Sequence, residues 1–187
     1  MISRRSLLIG AAALPLAACG TAPEKRAFAS ASDLEQLEQM ILAMRDDIDP
    51  AEASRAAAIA FAHTRDLSIQ YQITDPPLVH NTKVNMGLKP RGLCWHWAED
   101  IEKRLDAEGF ETLEMHRAIA EGRGIRIDHS TAIISARGDG YRQGVVLDPW
   151  RTGGALVFIP VVEDTRYNWE AREVVLGRRR DLRTIAG

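Results

Sequence analysis

Beyond residue 31, the first half of the chain carries apolar residues at every third or fourth position. This spacing places them on one face of an amphipathic helix, and the apolar stripe consists of Leu34, Leu37, Ile41, Met44 and Ile48. Ser32 and Glu35 match the capping-box pattern, which predicts that the helix begins at Ser32. A second, alanine-rich helix is predicted from its N-cap Asp49 through Pro50 to about Ile69.

Residues 74–92 interrupt the helical pattern with prolines, glycines and asparagines. A long segment without secondary structure is unusual in a compact domain and is often functional, so we expect a loop here. A further helix is predicted from about Cys94 to Gly109, because glycine suits the position that follows a helix end.

From Phe110 onward the pattern changes to the alternation of apolar and polar residues that is typical of β-strands. The predicted strands span residues 112–120, 125–136, 143–148 and 155–162, and residues 138–140 turn the second strand into the third as a hairpin. Helices followed by an antiparallel sheet predict an α+β fold with N-terminal helices packed on the sheet. We expect one domain that covers residues 32–187.

The N-terminal residues have the character of an export signal. Arg4 and Arg5 precede an apolar run that ends at Ala18, and this run is shorter than the roughly 20 residues that span a bilayer. Leu16-Ala17-Ala18-Cys19 resembles the lipobox of bacterial lipoproteins, which implies a signal peptide over residues 1–18 and lipidation of Cys19. Residues 19–31 are then a lipid-anchored tether. Residues 3–8 also resemble a twin-arginine signal, which leaves the export route open.

The sequence after the lipobox bears on location and partners. Gly20 is not the aspartate that resembles an inner-membrane retention signal, so we expect a lipid anchor in the outer membrane and a domain on the periplasmic face. Without the two signal arginines the chain has 22 basic and 26 acidic residues, a net charge of −4. An acidic chain without a basic stripe argues against nucleic acid as a partner.

Cys94 has no partner once Cys19 is assigned to the lipid, because the sequence contains two cysteines. An unpaired thiol in an oxidising compartment is either buried and inert or needed for chemistry. The predicted helix places Cys94 in its first turn, where unpaired amides and the helix dipole favour a negative group. His96 lies on the opposite side of the helix and is excluded as the partner of Cys94.

The predicted sheet supplies two residues that suit such a thiol. Alternation places His129 on a buried face of the second strand, and Asp148 closes the third. Counting outward from the hairpin turn puts the two nearly opposite each other, to within a residue or two. A carboxylate there accepts from one imidazole nitrogen and leaves the other for the thiol, so Cys94, His129 and Asp148 form a candidate activated nucleophile.

Three short segments resemble the transglutaminase-like branch of the papain-like cysteine enzyme superfamily. They are Gly92-Leu93-Cys94-Trp95 at a helix start, His129 on a strand, and Leu147-Asp148-Pro149-Trp150 closing the next strand. The resemblance covers residues 91–150. It implies a papain-like or transglutaminase-like core, with Cys94 as nucleophile, His129 as base and Asp148 as the orienting acid. Members of the family include proteases, amidases and transglutaminases, and some are inactive.

The oxyanion hole departs from the family pattern. Papain-like proteases often place a glutamine several residues before the cysteine, whereas residues 89–93 contain no side-chain amide. The backbone amide of Cys94 and a second donor from Trp95, Asn85 or Asn81 are the candidates.

Trp95 and Trp150 flank the proposed triad. With Asn85 they are the candidate cleft or substrate-binding residues, and packing in the core is the alternative role for the tryptophans. His63, His80 and His116 have no neighbour at metal-ligand spacing, and the sequence predicts neither a metal nor a cofactor.

The sequence thus predicts an envelope lipoprotein whose Cys94 attacks an amide bond in a cell-wall peptide or an envelope protein. The substrate class follows from the predicted location, and the pattern leaves open hydrolysis against transfer and the oligomeric state. One alternative is a non-catalytic binding or structural lipoprotein with a degenerate triad. The other is a peptidoglycan endopeptidase of the NlpC/P60 kind, whose typical Asp-Cys-Ser-Gly motif and polar third residue fit this chain less well.

Overall fold

The computed structural model describes residues 30–122, 124 and 126–186. The predicted signal peptide, the lipidation site Cys19 and all but the end of the predicted tether lie outside the described residues. Within the described part of the chain, no helix combines the length and the apolar character needed to cross a membrane.

In the described residues the fold is α+β, with four helices before an antiparallel sheet and a fifth helix after it. The helices are α1 Ala31–Leu42, α2 Pro50–Gln70, α3 Pro77–Asn85, α4 Cys94–Asp106 and α5 Arg172–Ala186. The strands are β1 Leu113–Ala120, β2 His129–Ala136, β3 Val145–Asp148, β4 Val157–Pro160 and β5 Glu170–Ala171. Their order in the sheet is β4-β3-β2-β1-β5, and every neighbouring pair is antiparallel.

The two faces of the sheet are both covered. Helices α1, α2 and α4 pack on one face around residues such as Ile101, Leu105 and Ile134. The other face carries a smaller cluster that includes Ile133, Val146 and Trp169. Because successive strand residues point to opposite faces, β2 contributes to both cores and is buried along its whole length.

The capping box of α1 lies two residues earlier than Ser32, so that part of the prediction was wrong. The Asp33 amide donates to Ser30 Oγ at 3.1 Å, and the Ser30 amide donates to Asp33 Oδ2 at 2.7 Å. Ser30-x-x-Asp33 satisfies two end amides in the same reciprocal way that Ser32-x-x-Glu35 was expected to do. The predicted start of α2 is confirmed, since Asp49 Oδ1 accepts from the Ala51 amide at 2.7 Å.

The prediction of a continuous loop over residues 74–92 was also wrong, because α3 occupies its middle. Pro77 stands in the first turn of α3, where a missing amide hydrogen costs nothing. Lys83 Nζ binds Asp75 Oδ1 at 2.7 Å across the helix start. His80 of α3 is buried and its Nε2 lies 2.8 Å from the Arg91 carbonyl oxygen, which fastens this helix to the segment that leads into α4.

Two further elements carry no clear pattern in the sequence. The edge strand β5 has only two residues, and α5 directly follows it. Strand β2 begins at His129 rather than at residue 125, so His129 is the first residue of its strand.

Candidate functional site

Cys94 is the first residue of α4, and its free thiol is partly buried. Gly92, two residues earlier, has a φ of +122°, and a Cβ at this position would lie 2.4 Å from His80 Nε2. The Gly92 carbonyl accepts from Trp97 Nε1 at 3.2 Å. The chain therefore needs a glycine here to turn sharply into the helix beneath a buried indole, and this turn sets the position of Cys94.

His96 stabilises the same helix start and does not pair with the thiol. Its Nδ1 accepts from the amides of Gly92 at 3.1 Å and Leu93 at 3.2 Å, so the imidazole takes the part of a capping side chain. Burial, reinforced by the nearby Arg91 guanidinium, lowers the pKa of His96 to about 4. A neutral imidazole is what an acceptor nitrogen requires.

Arg91 clamps this segment to the body of α4. Its guanidinium donates to Asp100 Oδ1 at 2.9 Å and to Glu99 Oε2 at 3.3 Å. Tyr71 donates its hydroxyl hydrogen to the same Asp100 carboxylate. The residues that precede Cys94 are thus held by charge as well as by the glycine turn.

His129 and Asp148 are in contact, as the pattern of strands predicted. His129 Nε2 lies 2.5 Å from Asp148 Oδ2, and both side chains are 1% exposed. The observed register pairs Ala132 with Leu147, so His129 and Asp148 are offset by two positions and the side chains reach across this offset. The other imidazole nitrogen, Nδ1, is buried and makes no hydrogen bond with the described residues.

The Cys94 thiol lies next to this imidazole. It is close enough to help raise the pKa of His129, and its Sγ donates a hydrogen bond to the Asp128 carbonyl oxygen at 3.9 Å. The arrangement therefore brings together the sulfur, the imidazole and the carboxylate, with Nδ1 of His129 left for a proton that a thiol or a substrate could share.

Arg151 continues the chain of polar contacts beyond Asp148. Its Nε donates to Asp148 Oδ2 at 2.6 Å, and its Nη1 donates to Asp164 Oδ1 at 3.1 Å. Asp164 in turn accepts from Trp169 Nε1 at 2.8 Å. One buried guanidinium thus serves two buried carboxylates.

This count of charges explains the protonation of His129. Burial by itself lowers the pKa of His129, but the charge of Asp148, its hydrogen bond and the contact with Cys94 together raise that pKa to about 9. Two carboxylates against one guanidinium leave an excess negative charge, and an imidazolium neutralises it. His129 is therefore a cation at neutral pH, in contrast to His96.

Aromatic rings surround the imidazole of His129. Its ring centroid lies 4.7 Å from that of Trp150, 4.5 Å from that of Tyr167 and 5.5 Å from that of Trp169. The Arg151 guanidinium lies 4.5 Å from the Tyr167 ring centroid. Packing on these sides fixes the plane of the imidazole, and it leaves the Cys94 side for chemistry.

A cavity of about 340 Å³ opens beside Cys94 and His129. Trp95 lines it and is 46% exposed, as expected for a cleft residue. Trp150 is not among the lining residues, because it is buried against His129 and its indole donates to Asn81 Oδ1 at 3.0 Å. Asn85, the last residue of α3, is exposed and is not among the lining residues. The cleft roles predicted for Trp150 and Asn85 are therefore not supported by their positions.

The start of α4 offers backbone donors for an oxyanion. The amides of His96 and Trp97 both donate to the Leu93 carbonyl, at 2.9 and 3.3 Å. The amides of Cys94 and Trp95 precede them and have no acceptor within the helix, as is general for a first helical turn. Asn81 is occupied by Trp150, so the Cys94 amide and a neighbour in the same turn are the better candidates.

Sequence reasoning missed Arg151 and Asp164. Arg151 follows Asp148 by three residues, and that spacing within a turn after a strand was the available signal. Asp164 lies beyond β4 and no local pattern links it to the site. Among the described residues, no group of three or more histidine, cysteine, aspartate or glutamate side chains is arranged to hold a metal ion.

Comparison of the chain with protein-family models, with curated proteins and with solved structures finds no match in any of the three.

Proposed function

We propose that this domain is a cysteine-dependent enzyme that cleaves or transfers an amide bond through a thioester on Cys94. The observation that carries the proposal is the pairing of His129 Nε2 with Asp148 Oδ2 at 2.5 Å while Nδ1 stays unpaired beside the thiol. His80 also has one buried nitrogen without a partner among the described residues, but its other nitrogen bonds a backbone carbonyl, whereas His129 has a carboxylate at Nε2 and a thiol beside its ring. An imidazole oriented by a carboxylate at one nitrogen is the arrangement that activates a nucleophile at the other.

The chemistry follows from the charges. In the reactive form the thiol proton resides on His129, and the Cys94 sulfur attacks the carbonyl carbon of the amide. The carbon–nitrogen bond then breaks while His129 delivers its proton to the departing nitrogen. Water or a second amine attacks the resulting thioester, and the thiol is regenerated. The pKa of about 9 keeps His129 protonated at neutral pH, as proton delivery to an amine requires.

We assign the domain to the transglutaminase-like branch of the papain-like superfamily as part of the same proposal. A cysteine at the start of a helix, packed beside an antiparallel sheet that supplies the histidine and the aspartate, supports this assignment. The lipobox-like segment supports anchoring through Cys19 on the periplasmic face of the outer membrane. With that location, peptides of the cell wall and proteins of the envelope are the proposed substrates.

A non-catalytic envelope module is the second candidate, and two observations favour it. Cys94 Sγ faces the Asp128 carbonyl at 3.9 Å, and three aromatic rings surround the imidazole. In that case the cavity binds a ligand and the thiol stays unreactive.

Thiol reactivity separates the two candidates. We expect iodoacetamide to alkylate Cys94 rapidly at pH 6, because the positive charge of the adjacent His129 imidazolium favours nucleophilic attack by the sulfur. His129→Ala should slow the labelling by about tenfold or more, whereas His116→Ala, a histidine bonded to Ser135 in the sheet, should leave it unchanged. Mass spectrometry of the peptide that contains Cys94 gives the rates.

Sluggish labelling that is indifferent to His129→Ala would favour the binding module. Release of peptide fragments from purified cell wall, lost in Cys94→Ala, then tests the substrate class. Rapid labelling of Cys94 without release of peptides would be consistent with the proposed cysteine enzyme and would exclude cell-wall peptide as its substrate.

A further inference from the structure

The cavity beside Cys94 is lined by three arginines, Arg117, Arg172 and Arg179, together with two acids, Glu99 and Asp128. Arg117 comes from β1, and Arg172 and Arg179 come from α5. Arg117 and Arg172 also line a neighbouring cavity of about 230 Å³, so they stand in the wall between the two spaces.

The two acids of the cavity are already neutralised by cations. Glu99 pairs with Lys103 at 3.1 Å and with Arg91 at 3.3 Å. Asp128 pairs with Arg179 at 2.8 Å. Arg179 is itself shared with Glu121 at 2.9 Å, so this arginine has no spare charge to offer a ligand.

The other two arginines are not neutralised to the same degree. Arg172 is exposed and makes no ion pair with any other residue that the structure describes. Arg117 has a side chain that is only 9% exposed and pairs with Glu102 at 3.2 Å. Its Nε is buried without a hydrogen-bond partner among the described residues. Leaving a charged donor unsatisfied is costly, and a bound ion or ligand is one way in which such a group is explained.

Arg117 also lies close to both reactive groups. Its Nη2 donates to the carbonyl of Trp95 at 3.2 Å and to the hydroxyl of Ser130 at 3.4 Å. These are the residues that directly follow Cys94 and His129. Arg117 therefore joins the two residues next to the sulfur and the imidazole, and Glu102 is its one ionic partner among the described residues.

We infer that this cavity recognises a carboxylate on the substrate, bound by Arg172 and Arg117 next to the amide that Cys94 attacks. The inference rests on the proposed function for the amide, but the binding of the carboxylate does not require turnover. A planar, bidentate guanidinium matches a carboxylate. The carboxylate belongs either to the free C-terminus of a peptide or to an acidic side chain beside the scissile bond.

The test compares three small probes on the full-length chain. They are N-acetyl-Ala-Ala with a free C-terminus, the same dipeptide with a C-terminal amide, and N-acetyl-Ala-Glu with a C-terminal amide. Calorimetry measures binding, and protection of Cys94 from iodoacetamide reports whether the probe occupies this cavity. We expect one of the two carboxylate probes to bind about tenfold more tightly than the neutral amide, and the preferred one identifies the source of the carboxylate.

Two variants and one control locate the recognition. Arg172→Gln should remove most of the preference for the carboxylate, and because Arg172 is exposed this variant should fold normally. Arg117→Lys keeps the charge but loses Nε and the planar fork, so it should weaken the preference as well. Arg65→Gln removes an exposed arginine on α2 that does not line this cavity, and it should leave the preference for the carboxylate unchanged.

Equal binding of acid and amide, or no binding of any probe at millimolar concentration, would overturn the inference. So would a preference for the carboxylate that survives both Arg172→Gln and Arg117→Lys. Tight binding of a carboxylate together with sluggish labelling of Cys94 that is indifferent to His129→Ala would instead contradict the proposed enzyme and leave the recognition of the carboxylate standing. Cleavage of neutral and acidic amides at equal rates, with equal affinity, would support the proposed enzyme and refute the recognition of the carboxylate.

Discussion

Two histidines follow Cys94 in the sequence, His96 in the same helix and His129 at the start of β2, and their surroundings give them opposite charge states. His96 accepts two backbone amides beside the Arg91 guanidinium, and its pKa is lowered to about 4. His129 faces a carboxylate in a network with surplus negative charge, and its pKa is raised to about 9. Both are buried, so burial alone does not decide the charge of an imidazole. The nearest charge and the atom type of the hydrogen-bond partner decide it.

Removing the guanidinium that supports the His129 region should have the largest effect. Arg151→Met leaves the buried carboxylates of Asp148 and Asp164 without their shared cation. We expect the free energy of unfolding to fall by about 3–5 kcal/mol, measured by urea denaturation followed by tryptophan fluorescence. Arg142→Met, an exposed arginine of the same region of the chain, should change it by less than about 0.5 kcal/mol. A loss below about 1 kcal/mol for Arg151→Met would contradict the prediction that this guanidinium stabilises both buried carboxylates.

Neutralising Asp148 should reverse the charge state of His129. In Asp148→Asn, burial is no longer opposed by the carboxylate, so the pKa of His129 should fall from about 9 to its ordinary 6.5 or below. Such a change corresponds to about 3 kcal/mol between the two protonation states. NMR titration of the imidazole measures it, with Asp128→Asn as the matched control. A His129 pKa that stays near 9 in Asp148→Asn would assign the charge to another partner.

The same pair also predicts how stability depends on pH. A histidine with a raised pKa in the folded state gives its full stabilisation below pH 6.5 and loses it as the pH rises through about 9. The free energy of unfolding of the wild-type protein should therefore decline over this window. Asp148→Asn should flatten the decline, and an equally steep decline in both proteins would contradict the assignment.

The backbone turn that leads to His96 can be tested with a pair of glycines. Gly92→Ala combines an unfavourable φ with a contact of 2.4 Å to His80, and we expect a loss of about 2–3 kcal/mol in the free energy of unfolding. Gly109→Ala also has a positive φ but meets nothing within 4 Å, so only the smaller cost of backbone strain, about 1 kcal/mol, should appear. Equal losses of unfolding free energy in the two variants would show that His80 moves aside at no measurable cost.

The smallest effect should come from His96 itself. His96→Ala removes the acceptor of two amides and should cost about 1–2 kcal/mol, whereas His96→Gln retains an acceptor at the same helix position and should cost less. Because the folded-state pKa is lowered, His96 contributes stability above pH 6.5 that is lost as the pH falls towards about 4. The difference in the free energy of unfolding between the wild-type protein and His96→Gln should therefore become smaller as the pH is lowered. Thiol labelling at pH 6 should be the same in both proteins.

Much of the site could be predicted because it depends on regular structure. The alternation of β2 and the hairpin count brought His129 close to Asp148, although the observed register differs by two positions. The connection between β2 and β3 contains a short 3₁₀ turn, Tyr141–Gln143, whose extra residues shift the count. The N-cap Asp49 and the helix starting at Cys94 follow from equally local signals.

The other parts of the site depend on contacts between distant residues, which the periodic pattern of apolar and polar residues does not reveal. Arg151 reaches Asp148 through a 3₁₀ turn, and Asp164 joins them from beyond β4. Helix α3 was hidden by Pro76, Pro77 and the asparagines around it, because these residues are as common in loops as at helix starts. Nothing in the sequence distinguishes Arg117 from other polar residues on a strand, because its surroundings come from α4 and α5.

The use of α5 and of Asp164 has a consequence for the timing of synthesis. Cys94, His129 and Asp148 leave the ribosome before Asp164, the second carboxylate that pairs with Arg151, and before α5, which closes the cavity wall. A nascent or truncated chain that stops before Asp164 thus carries the nucleophile without the surroundings that organise it. Loss of α5 should disorder the cleft even though every reactive atom is still present. The proposed activity therefore requires that the polypeptide be synthesised to the end of this helix.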